Sequence, residues 1–179
     1  MERFDILNAQ GLPIGQTAVK GTVLRDGQYY MGVHVYIYDC NDRFIIQQRT
    51  LNKAFLLGGW DICMGHMVAG ETSLQCMIRE VREEIALTIS SQDVQAVRRV
   101  MFDAQYHHMV DVFFVCTEFD MKRLVLQKEE VMDVKTATLA EMTDMVRCMD
   151  YRPAAYRKTV LTELSHIRSI PQKTPIQQI

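Results

Sequence analysis

The stretch GHMVAGETSLQCMIREVREEIAL, residues 65–87, combines an apolar stripe with a group of acidic side chains. The glycines at positions 65 and 70 allow the backbone to turn sharply. Beyond them, apolar residues recur at intervals of three and four, which places them on one face of an α-helix. The residues of this stripe are Leu74, Met77, Ile78, Val81 and Ile85. The pattern predicts a tight loop followed by an amphipathic helix up to about residue 87.

Three glutamates, Glu80, Glu83 and Glu84, cover about a quarter of the helix circumference and lie beside the apolar stripe. Carboxylates this close together repel one another and raise each other's pKa. At the edge of a buried face they need a compensating cation, whereas on a solvated face they need none. Carboxylate oxygens without histidine or cysteine partners suit a hard ion, Mg²⁺ or Mn²⁺. From the pattern alone, a metal site and a solvated charged face are both open.

Two further residues of the stretch fit the metal interpretation. The loop that turns at Gly65 can direct its backbone carbonyl toward the same ion. Arg79 precedes Glu83 by four residues, so its guanidinium can orient that carboxylate.

Segments rich in β-branched and aromatic residues flank the helix and predict strands. The predicted strands cover residues 4–7, 30–38, 44–49, 94–101, 110–116 and 131–138, and two later helices cover 139–149 and 153–167. Residues 30–49 read as a hairpin, and residues 11–15 as a glycine- and proline-punctuated turn. This order of elements favours an α/β (α+β) sandwich with a mixed β-sheet over a doubly wound parallel fold. We predict a single domain over residues 1–170 and a loose tail over 171–179.

Composition argues against several classes of partner. A net charge of −2 gives no general affinity for nucleic acid polymers or anionic membranes, and no apolar run is long enough to span a bilayer. The N-terminus carries no secretory signal. The five cysteines are scattered and form no Cys-x-x-Cys pair, so we interpret each as a buried small hydrophobe in a cytoplasmic protein.

The stretch at 65–87 resembles the Nudix box, Gly-x5-Glu-x7-Arg-Glu-U-x-Glu-Glu-x-Gly-U, where U is a bulky aliphatic residue. One position departs from the pattern, because Ala86 stands where the family usually has the glycine that helps to end the helix. Softer matches over residues 5–141 resemble the branch related to isopentenyl-diphosphate isomerases. The positions that match the box are Gly65, Glu71, Arg79, Glu80, Val81, Glu83, Glu84 and Leu87.

The resemblance implies a Nudix-type α/β/α sandwich and an Mg²⁺-dependent hydrolase. Its substrate would be a small-molecule diphosphate, by default a nucleoside diphosphate linked to another moiety. Family members are often homodimers. The box residues carried over as metal ligands are Glu80, Glu83 and Glu84, with the Gly65 carbonyl. Glu71 matches a position that usually holds the box loop in shape.

Residues outside the box have less settled roles. The general base of this family is a box glutamate or an acidic residue from a later loop, where Glu130 is the first candidate and Glu129 the next. Arg49 and Lys53 follow a predicted strand near the start of the box, and they either bind phosphate or face water. His66 is interpreted as a hydrogen-bonded loop residue, not as a metal ligand.

Two other functions fit the same resemblance. An isopentenyl-diphosphate isomerase needs a cysteine where this chain has Met64, and Cys63 is one position away, on the opposite face of a strand. The isomerase also needs a glutamate where this chain has His108. A non-catalytic, nucleotide-binding Nudix domain is the second alternative, although such domains usually lack box glutamates that this chain has.

Overall fold

The computed structural model describes residues 2–53, 55–101 and 107–167. The tail predicted at 171–179 lies outside these residues, and the single domain over 1–170 stays a prediction. The strands are β1 (Arg3–Leu7), β2 (Pro13–Val19), β3 (Tyr30–Tyr38), β4 (Arg43–Arg49), β5 (Trp60–Asp61), β6 (Cys63–His66), β7 (Val94–Met101), β8 (His108–Cys116) and β9 (Val131–Thr138). The helices are α1 (Ser73–Ile85), α2 (Leu139–Arg147) and α3 (Ala154–Ile167).

The main sheet is mixed and is organised around β3. Strand β8 runs parallel to β3 along its whole length, from Tyr30 opposite His108 to Tyr38 opposite Cys116. The first half of β3 pairs antiparallel with β6. The predicted hairpin is present, but β3 and β4 pair only where Tyr38 meets Phe44, and β4 then pairs with β5 and β9.

Alternation along β3 separates two hydrophobic layers. Val33, Val35 and Ile37 face helix α1 and pack with its buried side chains. Tyr36 and Tyr38 face the opposite way and pack with α2 and α3. Because a strand directs successive side chains to opposite faces, one buried strand supports both layers. The predicted α/β/α sandwich with a mixed sheet is therefore confirmed.

The N-terminal hairpin of β1 and β2 is attached to the loop that precedes α1. The Asp5 carboxylate accepts a hydrogen bond of 2.7 Å from the Gly70 backbone N–H, and the Arg3 carbonyl accepts one of 2.8 Å from Ala69. Strand β2 begins at Pro13, inside the region predicted as a turn, so the turn prediction missed it. Its first five residues are exposed, and a strand without a buried face gives no alternating pattern to detect.

Helix α1 is shorter than predicted, and both of its ends have a local cause. Thr72 accepts a hydrogen bond from Gln75 N–H while the Gln75 side chain accepts one from Thr72 N–H, so the pair forms a capping box. At the other end Ala86 adopts the left-handed conformation, with φ 54° and ψ 24°. The helix thus ends as it would with glycine, although alanine is strained in this conformation.

The cysteine prediction is correct for only some positions. The five cysteines all lie within the described residues, and none of them forms a disulfide there. Cys63 and Cys76 are buried, but Cys40 and Cys148 are exposed, so the expectation of burial is wrong for those two. Among the described residues, none of the helices is long and apolar enough to cross a membrane. The cytoplasmic location and the homodimer stay predictions.

The strained end of α1 gives a stability prediction. Replacing Ala86 by glycine should raise the free energy of unfolding by about 1 kcal/mol, because glycine enters the left-handed region without a Cβ clash. Urea denaturation of the wild type and the variant measures this. Ala140→Gly in right-handed α2 is the matched control and should lower stability; a lower stability of Ala86→Gly as well would contradict the analysis.

Candidate functional site

Two strands direct side chains toward the glutamate face of α1. On β4, Gln47 and Arg49 continue the alternate positions that begin with Ile45, which packs against the α1 side of the sheet. On β6, Cys63 lies in the same layer and Gly65 is two residues further on. The period of two therefore places an amide, a cation, a thiol and a glycine beneath one helix.

Glu84 is the most deeply buried acid of the helix, with 5% of its surface exposed. Its Oε2 accepts a 2.7 Å hydrogen bond from the amide nitrogen of Gln47, and the Cys63 thiol donates a second hydrogen bond. Burial raises the pKa of Glu84, and those hydrogen bonds with the charges of Arg49 and Lys53 oppose the rise. Gln47 and Cys63 are both neutral, so neither of them balances the charge of the Glu84 carboxylate.

Gly65 lies inside strand β6 and not at a turn, so the turn predicted at this glycine is wrong, whereas Gly70 does have a positive φ. Glu80 lies directly over Gly65. A Cβ at position 65 would overlap the Glu80 carboxyl group, so only glycine leaves room for this carboxylate. Burial raises the pKa of Glu80 to about 7, Arg79 opposes the rise, and Glu84 and Glu83 add to it. Mutual repulsion of the glutamates was predicted, but removal from water is the larger cause.

Arg79 connects the loop between β6 and α1, here called the box loop, with two of the glutamates on α1. Its guanidinium donates to both oxygens of Glu71, at 2.9 and 3.0 Å, and to the His66 carbonyl at 3.1 Å. The same group donates to Glu80 at 2.9 Å and to half-exposed Glu83 at 3.0 Å. The predicted contact with Glu83 is present. Glu71 also accepts from Val68 N–H, in agreement with a role in holding the loop.

Two predicted residues outside the box form an ion pair with each other. Lys53 bonds to the carboxylate of Glu130, and both side chains are partly exposed. The loop that carries Glu130 is attached to the end of α1, since Gln127 N–H donates to the Glu84 carbonyl at 3.0 Å. Burial and the neighbouring Arg49 lower the pKa of Lys53, whereas Glu84 and Glu80 act in the opposite direction.

The structure brings together the residues that the sequence singled out. They are Gly65, Arg79, Glu80, Glu83 and Glu84 in the box, and Arg49, Lys53 and Glu130 around it. Gln47 and the Cys63 thiol were missed as partners of Glu84. The signal for Gln47 was present, because it interrupts an apolar strand on the same face as Ile45.

The donor set fits a hard divalent cation. Within the described residues, no three His, Cys, Asp or Glu side chains already form a metal site, and Arg79 bridges Glu80 and Glu83. The fit rests on buried Glu84, whose contacting donors are neutral, and on Glu80, which occupies the space above Gly65. A buried carboxylate is costly without a cation, and clustered oxygens favour Mg²⁺ or Mn²⁺.

Comparison with known proteins identifies the family of this chain. The family model of the NUDIX domain matches residues 28–157. The chain belongs to the Nudix family. A Nudix hydrolase of Listeria innocua, lin0387, is 33% identical over 139 residues, which are 77% of this chain and 80% of that protein. The predicted family and the hydrolase class, whose members act on pyrophosphate bonds, are confirmed.

Two further similarities concern the branch and the fold. The isopentenyl-diphosphate Delta-isomerase of Shigella dysenteriae is 25% identical over 160 residues, which are 87% of this chain and 85% of the isomerase. The crystal structure of DR0079 from Deinococcus radiodurans is similar with a TM-score of 0.65 at 16% identity, covering 89% of this Nudix chain and 97% of that chain. At this identity the structural similarity supports the fold.

The raised pKa of Glu80 makes the stability of the metal-free protein depend on pH. Folding raises this pKa from 4.5 to about 7, so the folded protein binds a proton at Glu80 more tightly than the unfolded chain does. As the pH rises from 4.5 to 7 and above, the charged Glu80 carboxylate therefore lowers the stability of the folded protein. Glu80→Gln should therefore raise the free energy of unfolding at pH 8 by about 1–3 kcal/mol and change it little at pH 4.5.

Urea unfolding in EDTA at the two pH values tests this difference. Glu83→Gln is the matched control, because the Glu83 side chain is 50% exposed and stays in contact with water. An equal effect of Glu80→Gln at both pH values would show that burial of the charged form is not responsible.

Proposed function

We propose that this protein is an Mg²⁺-dependent Nudix diphosphatase that cleaves the diphosphate linkage of a nucleoside diphosphate joined to another moiety. The proposal is carried by the placement of the box acids: Glu80 lies over Gly65, and buried Glu84 is bonded to Gln47. Arg49 and Lys53 lie close enough to Glu84 to lower its pKa, and Arg79 joins Glu83 to Glu80. A diphosphate repels a nucleophile through its concentrated negative charge. The site combines oxygen ligands for a cation with separate cations for phosphate oxygens.

Each predicted residue receives a role in this proposal. Glu80, Glu83 and Glu84 hold Mg²⁺ with the Gly65 carbonyl, and Mn²⁺ is an acceptable substitute. When bound, the ion neutralises phosphate charge and lowers the pKa of a coordinated water. Arg79 positions the glutamates through its contacts with two of them.

Arg49, Lys53 and Glu130 complete the chemistry from outside the box. Both cations lie close enough to Glu84 to lower its pKa, so a diphosphate held beside that carboxylate is within their influence. A phosphate oxygen competes with Glu130 for Lys53. Release from this ion pair leaves the Glu130 carboxylate able to accept the proton of the attacking water, as a general base requires.

An exposed aromatic pair supports a nucleoside as part of the substrate. Phe55 and Tyr151 lie edge to face, with ring centroids 5.2 Å apart, and 45% and 37% of their surfaces are exposed. Arg49 donates a 3.1 Å hydrogen bond to the Phe55 carbonyl, which ties this pair to the phosphate-binding side of the site. Exposed rings beside a cation are suited to stack on a planar base.

The strand geometry argues against the isomerase alternative. Cys63 packs in the α1 layer, whereas Met64 packs on the opposite face, so the thiol is not a substitute for a cysteine at position 64. Burial raises the pKa of Cys63 well above its ordinary value, which disfavours a reactive thiolate. His108 stands at the position of the isomerase glutamate, and its Nε2 lies 3.2 Å from that of His66.

A phosphate-release assay over a panel of nucleotide diphosphates tests the proposed reaction. The wild type should hydrolyse at least one of them with Mg²⁺, and Glu84→Gln should lower kcat by about 10²-fold or more. Asp144→Asn on exposed α2 is the control and should retain activity. Equal activity of Glu84→Gln and wild type on all substrates would favour the non-catalytic alternative.

The aromatic pair gives a separate test of the substrate class. Phe55→Ala and Tyr151→Ala should each raise KM for the best nucleotide by about tenfold, since stacking on one base contributes roughly 1–3 kcal/mol. Met101→Ala, an exposed change on the opposite edge of the sheet, should leave KM unchanged.

The isomerase alternative is tested with isopentenyl diphosphate as the substrate. The wild type should form no isomer of it, and detection of the isomer by NMR would overturn the hydrolase proposal.

A further inference from the structure

Gln47 is buried in the site but has only half of its amide satisfied. Its side chain lies on β4 with 3% of its surface exposed, and its Nε2 donates the 2.7 Å hydrogen bond to Glu84. Among the described residues, its Oε1 is buried and has no hydrogen-bond partner. The orphan oxygen belongs to the same planar amide as the bonded nitrogen, so it is adjacent to the Glu84 carboxylate.

Rotation of the amide does not remove this cost. Turning the group over would place the carbonyl oxygen of Gln47 against the carboxylate oxygen of Glu84, and two acceptors repel. The observed orientation is therefore fixed by Glu84, and it leaves a buried acceptor unpaired at a cost of roughly 1–3 kcal/mol. An aliphatic residue at this position of an apolar strand would avoid the cost, so packing alone does not explain glutamine.

We propose that Gln47 is a positioning residue for the divalent-ion site. Its amide nitrogen fixes the Glu84 carboxylate, and its carbonyl oxygen accepts a hydrogen bond from water held with the ion. Mg²⁺ usually keeps several of its waters, so an acceptor beside its carboxylate ligand has a partner in the loaded protein. This inference rests on the proposed function, because it requires Glu84 to be an ion ligand.

The chemistry of an amide suits this task better than that of a charged group. A lysine or arginine at position 47 would neutralise Glu84 directly and compete with the divalent ion. The neutral amide donates to one carboxylate oxygen and adds no positive charge. Gln48, the next residue, lies on the opposite face of β4 and donates a 2.8 Å hydrogen bond to the Gly58 carbonyl. Gln48 therefore has a structural contact only, whereas Gln47 contacts an acid of the site.

Calorimetric titration with Mg²⁺ and Mn²⁺, without substrate, tests the inference on the full chain. Gln47→Met removes donor and acceptor at similar volume and should weaken ion binding about 10–100-fold. Gln48→Met is the matched control and should bind like the wild type. Unchanged affinity of a folded Gln47→Met protein would overturn the inference.

Two further measurements keep the test decisive if Gln47→Met folds poorly. Gln47→Glu retains an oxygen but adds a charge, so Mg²⁺ should raise its Tm more than that of the wild type. In a double-mutant cycle, Gln47→Met should have a smaller effect on ion affinity in a Glu84→Gln background than in the wild type, because the Gln47 amide nitrogen acts through Glu84. An equal Tm rise, or additive effects in the cycle, would count against it.

Binding and turnover also distinguish this inference from the proposed function. If the wild type binds Mg²⁺ and Gln47→Met weakens binding, but no diphosphate is hydrolysed, the inference stands and the diphosphatase proposal fails. If the nucleotide panel is hydrolysed while Gln47→Met binds ions and turns over like the wild type, the diphosphatase proposal stands and the inference fails.

Discussion

The burial of the Glu84 carboxylate is the constraint on which the site depends. A carboxylate removed from water destabilises a fold unless donors or cations replace the lost hydration. In this chain the replacement comes from separate segments: Gln47 on β4, Cys63 on β6 and the more distant charges of Arg49 and Lys53. The sheet, the box loop and the segment after β4 must therefore all be in place before the helix can hold this group.

Arg79 has the complementary task of holding the remaining acids. A single guanidinium contacts Glu71 in the loop and both Glu80 and Glu83 on the helix. Because guanidinium and carboxylate groups match geometrically, these contacts set the directions of the side chains as well as balancing their charge. The loop between β6 and α1, which turns at Gly70, is thereby fixed to the helix, and Glu80 and Glu83 are held by one cation.

The amphipathic helix and its acids were predictable because a period near 3.6 and a defined motif act together over one short segment. The buried strands were predictable for a different reason, because a strand that is buried on both faces has a continuous apolar run of residues. Strand β2 was missed because its exposed residues have no such pattern. Gln47 could be noticed as a polar residue on the apolar face of β4, but its partner Glu84 could not be predicted, because that contact depends on how β4 and α1 pack.

The parallel pairing of β3 with β8 has a consequence for how the chain folds. The residues that form α1 lie between these two strands in sequence, so a growing chain presents β3 and the helix before β8 exists. Parallel pairing between distant segments is slow, and an unpaired strand edge can associate with other chains. A fragment that ends before His108 lacks β8 and would expose the edge of an almost wholly apolar central strand, so aggregation rather than partial folding is its expected fate.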